Sequence, residues 1–374
     1  MAPPSSTPRP TIYDVAREAG VSKSLVSLVL NDSPLVAESK REAVRDAIRK
    51  LGYRRSQAAS SLASNRTRTI GLVIDDFRNP WFVELLNGLR TTMGPHGFHV
   101  AVREHFTLEG TIMNAIDGFR DTQVDALVVA AEPGRDFEDL GIPTVLEGTR
   151  RNTIEGADLI SSDQVQGVNL LMEHLCSLGH ERIGHVTGAG GSADIRRKAY
   201  SDFMKSAGLD PLVEGFANPT NEEGGYLGTV ELLRKSPGLT AVFAANDTMA
   251  LGARAALRET GYEVPGDVSL VGFDNSQLAQ SRFLDLTTVD NHAFDIGMAC
   301  AEALLRRITD PGASPRQITI PTGLVIRTSS ATPGCGGPES QAADARFREA
   351  MNSREPEAER TIVTVPDQKS SSSS

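Results

Sequence analysis

Lys23, Ser24, Ser27 and Leu28 fall within one short segment, KSLVSLVL, which also holds the apolar set Val26, Val29 and Leu30. At helical spacing the apolar set turns inward and the first four side chains lie off the buried face. Lys23, Ser24 and Leu28 are then candidate readers of base edges. A lysine favours guanine O6/N7, and a leucine offers only apolar contact, for instance to a thymine methyl.

Such side chains need an element to hold them. Upstream, Ile12, Val15, Ala16 and Ala19 recur at i, i+3, i+4 and i+7, one apolar face of a helix. Gly20-Val21 breaks it, and Gly20 supplies the positive φ of a tight turn. Ser22 fits an N-cap for Lys23–Leu30. Two short helices joined this way read as a helix-turn-helix, with the second as recognition helix; the same pattern also fits an ordinary helical hairpin. A third helix is expected over Glu38–Leu51, with Ala43, Val44, Ala47, Ile48 and Leu51 on its stripe. Residues 1–68 hold twelve Lys/Arg against six Asp/Glu, a net of +6, while the whole chain is −10. A basic head on an acidic body favours the nucleic-acid reading, because phosphate neutralisation supplies most non-specific affinity.

The segment TIYDVAREAGVSKSLVSLVLN, then Gly52-Tyr53 and QAASSLA, resembles the head of the LacI/GalR family of bacterial transcription regulators. The likeness continues through IGLVIDDFRNPWF, HLCSLGHERIGHVTG, FAANDTMALGARAALRETGYEVPGDVSLVGFDN, LTTVD and LVIRTSS, in unbroken order over roughly residues 11–330. It implies that Thr11, Tyr13, Ser22 and Asn31 touch phosphates and fix register; capping (Thr11, Ser22) and a turn (Asn31) are the alternative roles. It also implies a hinge helix around Gln57–Ala63 that pairs with its dimer mate in the minor groove, where Leu62 wedges between base pairs and bends the duplex. A helix this short is marginal alone, and a plain linker is the other reading. Family members often carry Pro and Asn after the Tyr, where this chain has Arg55 and Ser56; Arg54 and Arg55 add phosphate-seeking charge. Leu28 departs from the polar residue or Arg frequent at its position.

From Thr69 the texture is α/β. Strand candidates are 69–74, 99–104, 126–130, 144–147, 159–162, 182–187, 241–245 and 268–273. Helix candidates are Phe82–Met93, Gln166–Leu178, Arg196–Ala207, Tyr226–Leu233, Thr248–Thr260 and Asp295–Ile308. Regular alternation predicts doubly wound parallel sheets, and about 260 residues is too much for one open sheet. The resemblance implies a periplasmic-binding-protein-like body of two lobes and three crossovers, with a cleft at the carboxyl ends of strands. The organisation expected is a lead over 1–10, a head over 11–55, a hinge over 56–68 and an effector-binding, dimerising body over 69–332. Lobe 1 would take about 69–164 and 294–324, and lobe 2 about 165–293 and 325–332. Residues 333–374 are polar and punctuated by Gly, Pro and Ser, the composition of a disordered tail, with a short helix possible at Ala342–Met351.

For the effector, the resemblance points to Trp81-Phe82, Asp163, Arg196, Asn246 and Asp274. A carboxylate, an amide and a guanidinium beside an aromatic wall suit polyol recognition. Trp81 and Phe82 also fit a core aromatic pair. The acidic residue many members carry after the strand at IPTVL is replaced around Gly148, and a position that can hold an aromatic is Thr220.

Hydrophobic content of 39% with 23% charged residues is ordinary for a globular protein, and no apolar run approaches the roughly 18–20 residues of a membrane span. The opening MAPPSSTPRP lacks the apolar core of a secretory signal. Three scattered cysteines, Cys176, Cys300 and Cys335, fit a reducing cytoplasm and neither a disulfide framework nor a metal site. Gly188–Gly191 follows a strand but lacks the G-x-G-x-x-G order, and nucleophile-elbow, P-loop and H-E-x-x-H motifs are missing. The expectation is a cytoplasmic, homodimeric, allosteric regulator without catalysis or cofactor, binding double-stranded operator DNA and a carbohydrate effector. The competing reading is a sugar-binding or sugar-converting α/β protein whose helical head makes protein contacts.

Overall fold

A computed structural model describes residues 10–30, 32–53, 67–108, 111–113, 115–137 and 140–334. Residues 1–9 of the lead, Asn31, residues 54–66 with Arg54, Arg55, Leu62 and most of the expected hinge, and the tail from Cys335 lie outside the described residues.

The head holds three helices, α1 (Ile12–Glu18), α2 (Lys23–Leu30) and α3 (Glu38–Leu51). Thr11 and Asp14 form a capping box: Thr11 N–H donates to Asp14 Oδ2 at 2.9 Å, and Asp14 N–H donates to Thr11 Oγ1 at 3.4 Å. Gly20 takes φ +62° at the turn, and Ser22 Oγ accepts from Leu25 N–H at 3.2 Å. Gly52, also left-handed, stops α3. Val15, Val26, Val29, Val36, Val44 and Ala47 make one core, with Ile12, Ala19, Leu30, Ile48 and Leu51 packed around it. Leu30 is therefore a rim residue where the sequence pattern suggests full burial.

The body begins with β1 (Thr69–Ile74), β2 (His99–Glu104), a ribbon of β3 (Phe106–Leu108) and β4 (Thr111–Met113), β5 (Ala126–Ala130), β6 (Thr144–Glu147) and β7 (Asp158–Ser162). It continues with β8 (Ile183–Val186), β9 (Leu212–Glu214), β10 (Ala241–Ala244), β11 (Ser269–Phe273), β12 (Thr287–Asp290), β13 (Gln317–Ile320) and β14 (Gly323–Val325). These build two six-stranded sheets, ordered β13-β7-β6-β5-β1-β2 and β14-β12-β11-β10-β8-β9. Pairing is parallel from β13 to β1 in the first sheet, with Leu72 opposite Val128 and Val128 opposite Val145. In the second only β14 against β12 is antiparallel. The central strands are buried along their whole length, as sheets covered on both faces require.

Helices start earlier than their apolar periodicity suggests. The segment expected at Arg196–Ala207 spans Gly191–Ser206, and Tyr226–Leu233 lengthens to Glu222–Lys235. Polar first turns, capped by Asn221 in the second case, carry no hydrophobic signal. The chain crosses between sheets after β7, after β12 and between β13 and β14. In the first lobe, helix Trp81–Met93 meets helix Ala293–Thr309 at two glycines. A Cβ on Gly88 would stand 2.1 Å from Phe294 O, and one on Gly297 2.2 Å from Leu85 O. No helix among the described residues is long and apolar enough to cross a membrane.

Candidate DNA-reading face and effector cleft

On α2, burial of Val26 and Val29 fixes which way the helix faces. Lys23 and Ser24 are exposed, Leu28 is 41% exposed and Ser27 half-buried. Tyr13 of α1 is 60% exposed, and Lys23 Nζ donates to its hydroxyl at 3.3 Å while lying 4.9 Å from the ring centroid. α1 and α2 thus present one polar face, from which a lysine and a phenol extend together. Thr11 and Ser22 are engaged as caps.

In the body, Trp81, Phe82, Arg196, Asn246 and Asp274 line one solvent-open cavity. It lies between the carboxyl ends of the two sheets' strands, the ligand position expected of such sheets. Arg196 is 7% exposed. Its Nε donates to Gln164 Oε1 at 2.6 Å, its Nη1 to Ala245 O at 2.5 Å and its Nη2 to Asp274 Oδ1 at 3.3 Å, and the guanidinium lies 3.7 Å from the Phe273 ring centroid. Asp274 Oδ1 also accepts from Asn291 Nδ2 at 2.9 Å, and Asn291 Oδ1 accepts from Trp81 Nε1 at 2.9 Å. Asp274 stands at φ +115°, a backbone strain that such sites retain when their surroundings over-determine it. Asn246 caps helix Asp247–Glu259, accepting from Met249 N–H at 2.7 Å, and donates to Thr220 O at 3.1 Å.

Trp81 and Phe82 meet edge to face at 5.2 Å; they belong to the lobe core and also line the cavity. Asp163 requires a correction. It does not line this cavity; it caps helix Gln164–Ser177, accepting from Gln166 N–H at 2.9 Å. Its carbonyl accepts from Thr322 Oγ1 at 3.2 Å, so it ties two chain crossings together. Beside Gly148, Glu147 at the end of β6 is buried in the lining. Arg150 Nη2 donates to Glu147 Oε2 at 3.0 Å, and its Nη1 to Asp75 Oδ2 at 3.3 Å.

Burial pushes the Glu147 carboxyl up to about 7, against the pull of Arg150. Burial also raises Asp274, opposed by Arg196. Asp247, which accepts from Thr288 Oγ1 at 2.6 Å and Ser276 N–H at 2.7 Å, is raised by burial and by the neighbouring Asp274 charge. The lining can therefore both donate and accept toward hydroxyl groups. Asp75, Glu147, Arg150, Gln164 and Asn291 were missed from sequence. Asp75, Glu147 and Asn291 share one signal, being polar at or just past a strand's carboxyl end.

A helix-turn-helix head on a two-lobed α/β body with a polar cleft is the class of ligand-responsive DNA-binding regulators. Residues 11–56 match the model of bacterial regulatory proteins of the lacI family, and residues 172–330 match a periplasmic binding protein-like domain. The chain is 33% identical to the HTH-type transcriptional repressor PurR of Histophilus somni (strain 129Pt), over 86% of this chain and 99% of that protein. It is 30% identical to the ribose operon repressor of Halalkalibacterium halodurans, over 86% and 97%. Among solved structures, the lac repressor dimer bound to operator and the anti-inducer ONPF is similar, with a TM-score of 0.74 and 25% identity over 87% of this chain and all of that one. The chain belongs to the LacI family of bacterial regulatory proteins.

Proposed function

We propose that this protein is a cytoplasmic repressor of carbohydrate-utilisation genes that binds a pseudo-palindromic operator as a homodimer. The observation that carries the DNA reading is the exposed Lys23, Ser24 and Leu28 on a recognition helix whose opposite face is buried. Twofold protein symmetry then asks for a twofold site. Tyr13 contacts backbone phosphate beside Thr11, Ser22, Asn31, Arg54 and Arg55, and Leu62 is the minor-groove wedge. The domain limits that go with this are a head over 11–55, a hinge over 56–68 and a body over 69–332.

The effector is a carbohydrate held by Asp274, Arg196, Asn246 and Trp81. Three carboxylates, Asp75, Glu147 and Asp274, line the cleft beside an indole, which supports recognition of several hydroxyls against an apolar wall. A relative is named as a ribose operon repressor. Effector binding shifts the lobes and thereby hinge pairing, for which a coupling of about 1–3 kcal/mol suffices.

Selection of bound duplexes from a random pool tests this reading. The expected outcome is a palindrome with a CG-type centre, bound less tightly by Leu62→Ala while non-specific binding holds. Binding that tracks salt alone, with no enriched site, would return the head to a protein-contact role.

A further inference from the structure

We propose that the open edge of β13 is a strand-pairing site and that its occupant is the chain's own residues 361–365, TIVTV. None of the residues of β13 lines the cleft, so the inference stands apart from the identity of the effector.

β13 ends its sheet and pairs with β7 alone. Leu159 N–H donates to Arg316 O, and Asp163 N–H to Ile320 O, each at 2.8 Å. Along a strand the backbone groups of successive residues face opposite sides, so Ile318 bonds to β7 as Arg316 and Ile320 do. Gln317 and Thr319 turn N–H and C=O the other way, where no backbone group among the described residues meets them. Gln317, Ile318 and Thr319 are exposed. β2, β9 and β14 also end sheets, yet they are half-buried over most of their length. A bare edge is a template for another strand, and proteins commonly blunt it with lysine, proline or a covering element. QITI contains neither residue. The strand is nevertheless held firmly at its start, where Arg316 N–H donates to the buried Asp158, itself gripped by Arg306 and Arg307.

The occupant is argued from the sequence after Gly334. Across residues 335–374 every β-branched residue falls in one unbroken run, Thr361, Ile362, Val363, Thr364 and Val365. Five in succession favour an extended strand, and Pro366 is suited to end it. The run is uncharged, and left unpaired such a segment is itself an aggregation hazard. Pairing the run with the edge covers both. The reach is sufficient: Ile320 and Gly334 stand at most about 50 Å apart along fourteen positions, whereas residues 335–360 can extend to about 85 Å. Because the run is tethered to the same chain, its effective concentration is on the order of millimolar. A strand from another molecule would compete from a far lower concentration.

Hydrogen exchange of the full-length protein, read by mass spectrometry on peptides spanning β13, tests the pairing. Three variants accompany it: a chain ending at Arg360, full-length Val363→Pro, which removes a backbone donor, and full-length Val363→Ile, which keeps the β-branch. The amides of Gln317 and Thr319 should exchange roughly tenfold more slowly in the parent and in Val363→Ile than in the other two variants. Those of Ile318 and Ile320, bonded to β7, should not change. Equal exchange at Gln317 and Thr319 in all four proteins overturns the proposal, as does protection that survives Val363→Pro. An isotope-labelled chain ending at Arg360, coexpressed with unlabelled full-length chain, separates the chain's own tail from that of a second copy. Its β13 peptide should stay unprotected. Protection of the labelled peptide would assign the edge to another molecule's tail and overturn the intramolecular pairing.

Discussion

Trp81 and Asn291 are 210 positions apart in the chain and 2.9 Å apart in the cleft, indole N–H to amide oxygen. Asn291 passes the contact on to Asp274, so one amide links the aromatic wall to the buried acid. Asn291→Ala leaves a buried indole donor unpaired, which costs about 1–3 kcal/mol. Urea unfolding should show that loss, together with altered Trp81 emission in the folded state. An unchanged midpoint would mean that water replaces the amide at no cost.

Arg196 ties three parts of the cleft wall together, Gln164, Ala245 and Asp274. Its removal strands Asp274 in a low-dielectric site, and breaking a buried pair in this way costs about 3–5 kcal/mol. Arg196→Ala is therefore expected to lose stability as well as effector response. Asp274→Asn, which keeps the shape and an acceptor, should fold and bind operator but lose the response. If Arg196→Ala unfolds at the parent's denaturant midpoint, the network is not structural.

Glu147 gives a pH dependence of definite sign. Its folded-state value of about 7 lies above the ordinary 4.5, so the folded protein retains a proton that the unfolded chain has released. That contribution is fully present below about 4.5 and is lost as the pH rises through about 7. The slope cannot exceed about 1.4 kcal/mol per pH unit for one group. Glu147→Gln should flatten the stability profile across this window. Profiles that run parallel would show that Glu147 is ionised throughout.

Lys23 rests on Tyr13 in the head. Lys23→Ala should relax selection at one base pair of each half-site by about 1–3 kcal/mol. Competition between operators altered at single positions measures this. A uniform loss on every sequence, with the salt slope reduced by about one, would make Lys23 a phosphate contact instead.

The head was legible because its signals are local. Ile12, Val15 and Ala16 repeat at helical spacing, Gly20 turns and Ser22 caps, all within a dozen residues. The central strands were legible because ALVVA and VSLVGF are apolar throughout. β9, β12, β13 and β14 were not: segments such as TTVD and QITI are short and partly polar, and β9, β13 and β14 also end a sheet, where burial is incomplete. In the cleft, Arg196, Asn246 and Asp274 followed from the family likeness. Glu147 did not, because nothing local distinguishes a strand-end glutamate that is buried from one that is solvated. Asp163 was misplaced for a related reason: a polar residue after a strand serves equally as a ligand contact or as a helix cap, and here it caps.

The glycine contact between helix Trp81–Met93 and helix Ala293–Thr309 sets an order of events during synthesis. The first lobe needs this late helix and β13 to complete its layers, yet both leave the ribosome after five of the second sheet's six strands. The second sheet finds nearly all its strands within one continuous stretch, and the head completes its core from residues made at the very start. A nascent chain thus carries its reading helix, and much of its second lobe, before its ligand cleft can exist. Until translation is nearly finished, no effector has anything to bind.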